Sequence, residues 1–375
     1  KTAQGNGGTG EDFYYTPPAG FKALNSDNLP DPSIALPTDH FNTVLYTGDG
    51  AADHDITGVG FQPDFTWIKM RSSTGQHMLF DVIRGAGEYL VSNNTDEEKT
   101  DATSLLSFDS DGISVGSGYH VNSNTATFAN WNWKAGGTAV ANTDGSIPGT
   151  VNVSANTTAG FSIVSYTGDA DNTSTVGHGL SVIPDLIIMK CRSTGGSNRD
   201  WIVGSTALTS PTAYNLVLNT DAAEANNVSF FTTAATSSVW YPGDGGASNG
   251  SGLTYIAYCF HSIEGYSKVG SYSGNGSTDG SYIYTGMKPS YLLIKRTDAA
   301  FQWYVWDDKR DEINPNNKVL YPSLSDAEDD SADYSIDFLS NGFKIRNASN
   351  FDNNSSGTYI YYAIAESPFK TSNAR

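Results

Sequence analysis

Long apolar runs are missing from this chain, and so are basic clusters, a cysteine framework and helix-forming stretches. No segment approaches the roughly 18 consecutive apolar residues needed to cross a bilayer as a helix, so membrane insertion is not expected. Lys and Arg number 21 against 40 Asp and Glu, a formal net charge of −19. Nucleic-acid binding needs a basic footprint that displaces counterions, and an acidic surface repels polyanions; no nucleic-acid partner is expected. Two cysteines, Cys191 and Cys259, are too few for a disulfide-stapled scaffold and lack the C-x-x-C spacing of a metal pair. They read as buried thiols behaving like small apolar side chains, with a single bridge as the alternative. The chain opens on Lys1-Thr2-Ala3-Gln4-Gly5, with neither an initiator Met nor an apolar leader, as though trimmed at its start.

Helix signals are confined to Asp96-Glu97-Glu98-Lys99 and Ser325-Asp326-Ala327-Glu328, which serve equally well as solvated loops. Charged residues make up only 16% of the chain, so the polar mass is Ser, Thr, Asn and Gly. Aromatics reach 12%, which argues for a folded chain over a disordered one. Abundant Thr, Tyr, Val, Asn and Gly means strands joined by turns.

What the chain does have is a pattern written three times. Tyr-[Thr/Ser]-Gly-[Asp/Asn] is followed by Pro-[Asp/Ser], an apolar run and a basic residue. The copies are Tyr46-Thr47-Gly48-Asp49 with Pro63-Asp64 to Lys69, Tyr166-Thr167-Gly168-Asp169 with Pro184-Asp185 to Lys190, and Tyr272-Ser273-Gly274-Asn275 with Pro289-Ser290 to Lys295. That period is a small domain rather than a solenoid rung of roughly 20–50 residues. Each copy ends on an aromatic strand: Thr127 to Lys134, Thr254 to His261 and Thr358 to Ala365. In that alignment Cys259 occupies the place of Asn132 and Ala363. Asp-Gly at Asp111-Gly112 and Asn-Gly at Asn341-Gly342 mark hairpins in the first and third copies, and the second copy carries a Gly-rich loop around Trp240 instead.

The expected fold is all-β: three tandem related β-sandwich modules, jelly-roll or lectin-like, preceded by an extended Pro-rich arm. The arm covers 1–40 and packs on a neighbouring module or subunit. The modules cover 41–137, 157–265 and 266–375, with a linker at 138–156.

The block Tyr15-Thr16-Pro17-Pro18-Ala19-Gly20-Phe21-Lys22-Ala23-Leu24, then Asn28 to Pro32, resembles the segment following a SPRY-type sandwich in virion proteins of marine tailed phages. The Tyr-Thr-Gly openings, the Pro-Asp-apolar-Lys strands, Trp131-Asn132-Trp133-Lys134 and the closing Ala365-Glu366-Ser367-Pro368-Phe369 extend the resemblance over nearly the whole chain. It implies a tail-fibre, receptor-binding or capsid-decorating component in the virion or outside the cell, and no catalytic residues. The SPRY-like part itself is not among these 375 residues.

Two constellations are candidates for chemistry. Asp49, Asp53 and Asp55 alternate in a loop and could hold Ca²⁺ through oxygen, though the bidentate Glu of an EF-hand is lacking; an acidic solvated turn is the alternative, and no other cofactor is expected. Trp240 and Tyr241 sit in a loop that the other copies lack, and loops on a rigid scaffold carry binding; they could stack on a sugar or anchor the loop to its own module. Trp131, Trp133, Tyr258, Phe260 and Tyr362 are expected in the core, as are Trp303 and Trp306. No H-E-x-x-H or G-x-S-x-G pattern occurs, so a non-enzymatic protein is expected. Its partners would be other virion proteins, copies of itself in a trimer or another symmetric homo-oligomer, and a host-surface glycan. The rival expectation is a secreted bacterial lectin-like adhesin or polysaccharide-acting enzyme.

Overall fold

The three Pro-[Asp/Ser] runs show no polar alternation, and a strand of that kind needs cover on both faces. In the computed structural model, which describes residues 18–19, 21, 28–193, 199–227, 229–231 and 233–372, they get it. Every residue of Phe65–Met70, Leu186–Cys191 and Met287–Arg296 is buried. Each lies second from one side of the same four-strand antiparallel core. In the first repeat the order is Phe41–Thr47, Thr127–Trp133, Phe65–Met70, His77–Asp81. Phe161–Thr167, Thr254–Phe260, Leu186–Cys191 and Ile202–Ser205 repeat it. Ser267–Ser273, Thr358–Pro368, Met287–Arg296 and Trp303–Asp307 repeat it again. A smaller antiparallel sheet accompanies each: His54–Thr57 with the hairpin Leu105–Asp109 and Gly112–Val115, Val176–Gly177 with Val239–Trp240, and Tyr282–Tyr284 with the hairpin Ile336–Leu339 and Gly342–Ile345. The molecule is all-β, with several antiparallel sheets.

Side chains alternate across a strand, so each closing strand feeds two cores. Tyr255, Ala257 and Cys259 pack toward the second repeat's small sheet, while Ile256, Tyr258 and Phe260 join a cluster built from all three repeats. Trp131 and Trp133 enter that same cluster from the first repeat, and Ile360, Tyr362 and Ile364 from the third. The aromatics expected in the core are buried, but they are largely spent between repeats rather than within them. Phe65 lies 4.3 Å from Tyr258 and Phe41 5.4 Å from Tyr291, centroid to centroid. Rings of this size bury about 150–250 Å² each, so the shared cluster welds the repeats into one body.

Two expectations change. Residues 138–156 are not a linker: Val140–Asn142 and Val151–Asn156 are strands that extend the second sheet beyond Phe161–Thr167. Val151 and Val153 fill the second core, the apolar alternation of that stretch being enough to recruit it. The Pro-rich arm is described mainly from Asn28 onward. There Ser33 donates to the Glu264 carbonyl at 3.3 Å, Lys370 pairs with Asp31 at 2.7 Å, and Ile34 enters the shared cluster. The Gly5–Gly10 stretch and most of Tyr14–Leu24 lie outside the described residues. Cys191 and Cys259 are free and buried, and burial pushes the Cys259 thiol up to about 12.

Candidate functional site

The repeated Tyr-[Thr/Ser]-Gly-[Asp/Asn] opening is a locked turn. Tyr46, Tyr166 and Tyr272 each donate a hydroxyl hydrogen bond, to the carbonyls of Val121 (2.6 Å), Ser248 (2.6 Å) and Asp352 (2.8 Å). The next residue is in each case a fully buried asparagine: Asn122, Asn249 or Asn353. Its Oδ1 accepts the backbone N–H of Asp49, Asp169 or Asn275 at 3.0 Å. Its Nδ2 donates back to that residue's side-chain oxygen at 2.9, 3.0 and 3.1 Å. Sequence reasoning missed these asparagines, although each stands a few residues before its closing strand.

The lock decides the fate of the proposed calcium loop. The Asn122 amide and the Ala51 N–H already occupy Asp49, and the Ser114 hydroxyl donates to Asp55 at 2.5 Å. Asp53 is exposed in the intervening loop. Among the described residues no group of three His, Cys, Asp or Glu side chains could hold a metal. Asp49, Asp53 and Asp55 therefore do not converge, because one is spent on the turn and another on the small sheet.

Of the two roles open to Trp240, the structure shows the loop anchor and not the exposed stacking surface. It is 0% exposed, pairs with Val176 and meets Tyr166 edge to face at 5.8 Å. The neighbouring Tyr241 is partly buried. The loop is an internal anchor for the repeat that lacks a hairpin.

Three equivalent seams hold the repeats together. Trp201 donates its indole N–H to the Val91 carbonyl, and Trp303 to the Val217 carbonyl, both at 2.9 Å. His77 stands at the corresponding place in the first repeat. Its Nδ1 accepts from Trp67 at 2.9 Å, and its Nε2 faces the Tyr321 backbone outside hydrogen-bond geometry. Backbone N–H groups of Glu98, Glu224 and Glu328 reach the carbonyls of Arg192, Thr297 and Arg71 at 3.0, 2.8 and 2.9 Å. The last of these joins the third repeat to the first, so the seams close a ring.

Each seam also buries the lysine that ends a Pro-[Asp/Ser] strand. Lys295 donates to the carbonyls of Asp221 and Arg296, Lys190 to those of Thr95 and Cys191, and Lys69 to that of Met70. Burial drives their ammonium groups down, to about 7 for Lys69 and Lys295 and about 8 for Lys190. Low-pKa lysines can serve as nucleophiles, but each of these is committed to backbone carbonyls, so the arrangement is structural. Glu98 receives a bidentate Arg192 (2.8 and 2.7 Å) with Arg84 at 3.6 Å. Glu328 receives a bidentate Arg71 (both 2.8 Å) with Arg310 at 3.1 Å. Burial opposes ionisation of Glu328, yet the Arg71 hydrogen bonds and the Arg310 charge hold its carboxyl below the ordinary value.

One family description spans this whole ring: a domain of unknown function (DUF7483), matched over residues 36–368. The chain belongs to that family. No curated protein matches it. The match begins before the first opening strand and ends within the last closing strand, so the DUF7483 unit takes in all three repeats.

An open concavity among the described residues is a cleft of about 440 Å³ between the arm at Leu29–Ser33, the turn at Glu264–Gly265, Tyr284 with Gly286, and the end of the last strand at Pro368–Lys370. A second cavity of about 270 Å³ lies in the second repeat, lined among others by Ile187, Phe231, Ala234 and Trp240.

Proposed function

We propose that this DUF7483 chain is a non-enzymatic component of a phage virion, in a tail fibre or appendage or as a capsid decoration. Each repeat is read as a jelly-roll or lectin-like β-sandwich. The chain works in the virion or extracellularly, with other virion proteins and with copies of itself in a trimer or another symmetric homo-oligomer. It braces the assembly and engages a host-surface glycan through loops or outer sheet faces. The observation that carries this reading is the closed ring of three corresponding seams. Buried indoles and lysines are invested there in rigidity, buried asparagines lock the turns within each repeat, and a rigid body is what an assembly component requires. The motifs behind the resemblance to phage virion proteins are structural ones too: turn locks, strand starts and aromatic closing strands.

Locating the protein in native particles tests the proposal. Mass spectrometry of purified virions followed by electron cryomicroscopy is expected to find symmetric copies on an appendage or shell. Recovery only as a free secreted monomer sinks it. Release of reducing ends from polysaccharide by the purified chain, abolished by replacing one carboxylate, would instead establish the rival enzyme reading.

A further inference from the structure

Recognition should lie where one repeat departs from the others on an exposed surface, and the outer faces of the small sheets offer that comparison. In the first repeat the outward positions of His54–Thr57 include Asp55 and Thr57. Ser114 Oγ alongside sits 2.5 Å from an Asp55 oxygen and 2.8 Å from an Asp109 oxygen, its one proton serving either carboxylate in a polar ladder closed on itself. By register against the hairpin glycines Gly112 and Gly342, the third repeat puts Tyr282 and Tyr284 at those positions. They are 45% and 58% exposed, while Ile283 between them points into the core. Alternate residues of a strand lie about 6.6 Å apart on one face, on the scale of one sugar ring.

The tyrosines do not stand on a bare apolar patch. The Tyr282 hydroxyl donates to Asn341 Oδ1 at 2.6 Å. The Lys268 ammonium lies 5.5 Å from the Tyr284 ring centroid, a cation–π contact that backs the ring and leaves it mostly open. Tyr284 then forms a wall of the 440 Å³ cleft, with Phe369, 41% exposed, on the same cleft. Gly286, at φ +79°, adopts a backbone favoured only for glycine and adds no side chain to the cleft. The carboxylates are Asp31, paired with Lys370 at 2.7 Å, and the exposed Glu264. Such a volume falls in the ordinary range for small-ligand sites.

We propose that Tyr282, Tyr284 and the adjoining cleft form a binding site for a neutral oligosaccharide. The tyrosine rings offer flat apolar faces to the C–H faces of pyranoses, with hydroxyls at their rims. Glu264, Asp31 and Lys370 supply acceptors and donors for sugar hydroxyls inside the cleft. The exposed Glu264 and the net charge of −19 disfavour acidic glycans. This inference deepens the glycan-binding part of the proposed function and rests on it, but does not depend on whether the chain is carried by a virion.

The test uses the purified chain and a panel of neutral trisaccharides (maltotriose, cellotriose, laminaritriose, mannotriose) with a sialylated and a sulfated trisaccharide as charged controls. Saturation-transfer NMR and titration calorimetry are expected to detect binding of at least one neutral member and none of the charged ones. Tyr284→Ala should weaken binding about tenfold, the equivalent of about 1.4 kcal/mol, and Tyr282→Ala/Tyr284→Ala should abolish it. Both variants should keep the parent melting temperature, because the side chains are exposed. No binding across the panel at millimolar concentration overturns the inference, as does binding that survives the double variant. Tyr284-dependent self-association without sugar binding also overturns it, and assigns the face to a protein interface. If sugar binding holds while the protein is absent from particles, the virion reading alone fails.

Discussion

Two of the three seams grip a glutamate with arginines and, among the described residues, the third does not. Between the first and second repeats, and between the third and first, a glutamate is gripped by an arginine from each side, and each grip is continued by a fully buried pair, Arg84–Asp81 or Arg310–Asp307. Between the second and third repeats Glu224 survives alone. Leu208 stands in the place of Arg84, Ser205 in that of Asp81, and Thr297 in that of Arg192, so Glu224 is left to accept from Thr209. The backbone bond from Glu224 to Thr297 and the Trp303 indole bond to Val217 nevertheless match their counterparts. The geometry of a seam is thus set by aromatic packing and main-chain bonds, and the charges are an addition. This is what burial energetics leads one to expect, since desolvation of a buried ion pair offsets most of its attraction.

The largest effect should come from removing the shared element. Trp303→Ala and Trp201→Ala each delete a buried indole and orphan a carbonyl, and each is expected to cost about 3–5 kcal/mol by urea unfolding. The two costs should be similar despite the missing arginines. A Trp303→Ala loss far below that of Trp201→Ala would mean that the seams are not equivalent after all. His77→Ala, at the place where no good seam hydrogen bond forms, should cost less than either.

The lysines give the comparison a pH axis. An ordinary lysine in the unfolded chain titrates near 10.4, whereas Lys295 is depressed to about 7 by burial. Between about pH 7 and 10 the unfolded chain therefore holds more protons than the folded one, and stability rises with pH across that window. The slope reaches at most about 1.4 kcal/mol per pH unit for each such lysine. Lys295→Met should remove its share of that rise, and Lys69→Met should do the same at the seam of the other type. Denaturation midpoints of each variant against the parent at pH 7, 8.5 and 10 measure it. Equal slopes in parent and variant would show that the ammonium titrates normally in the folded state.

Much of this was legible in the sequence, and what was not has a physical reason. The triple pattern located the opening, Pro-[Asp/Ser] and closing strands, and the alignment put Cys259 level with Asn132 and Ala363, as the strand registers do. The closed ring was not legible. Alternating aromatics say that both faces of Thr254–Phe260 are covered, but not that one cover belongs to another repeat. Glu98 and Glu328 read as solvated acidic turns because their arginine partners are 94 and 257 residues away. Gly-rich composition left Trp240 open as a stacking surface or an anchor, and only the structure shows that its loop folds inward, pairing Val239–Trp240 with Val176–Gly177. Tyr282 and Tyr284 carry no signal of their own in the sequence, and only the sheet's register turns them outward.

The smallest effect tests the arginine comparison directly. Thr297→Arg places a guanidinium where Arg192 and Arg71 stand, opposite a glutamate already positioned by its own backbone bond. The gain should be modest, because Leu208 supplies no second cation and the substitution removes the Thr297–Thr358 hydroxyl contact at 2.7 Å. A double-mutant cycle with Glu224→Gln should give a coupling of about 0.2–1 kcal/mol, the range of partly exposed ion pairs. The same cycle on Arg192 and Glu98 should give more, since that pair is shared with the buried Arg84. A coupling for Thr297→Arg as large as the native one would mean that the bidentate contact alone supplies the energy. No coupling would mean that the second-to-third seam holds its glutamate too far from the arginine position, and that the three seams differ in shape as well as in charge.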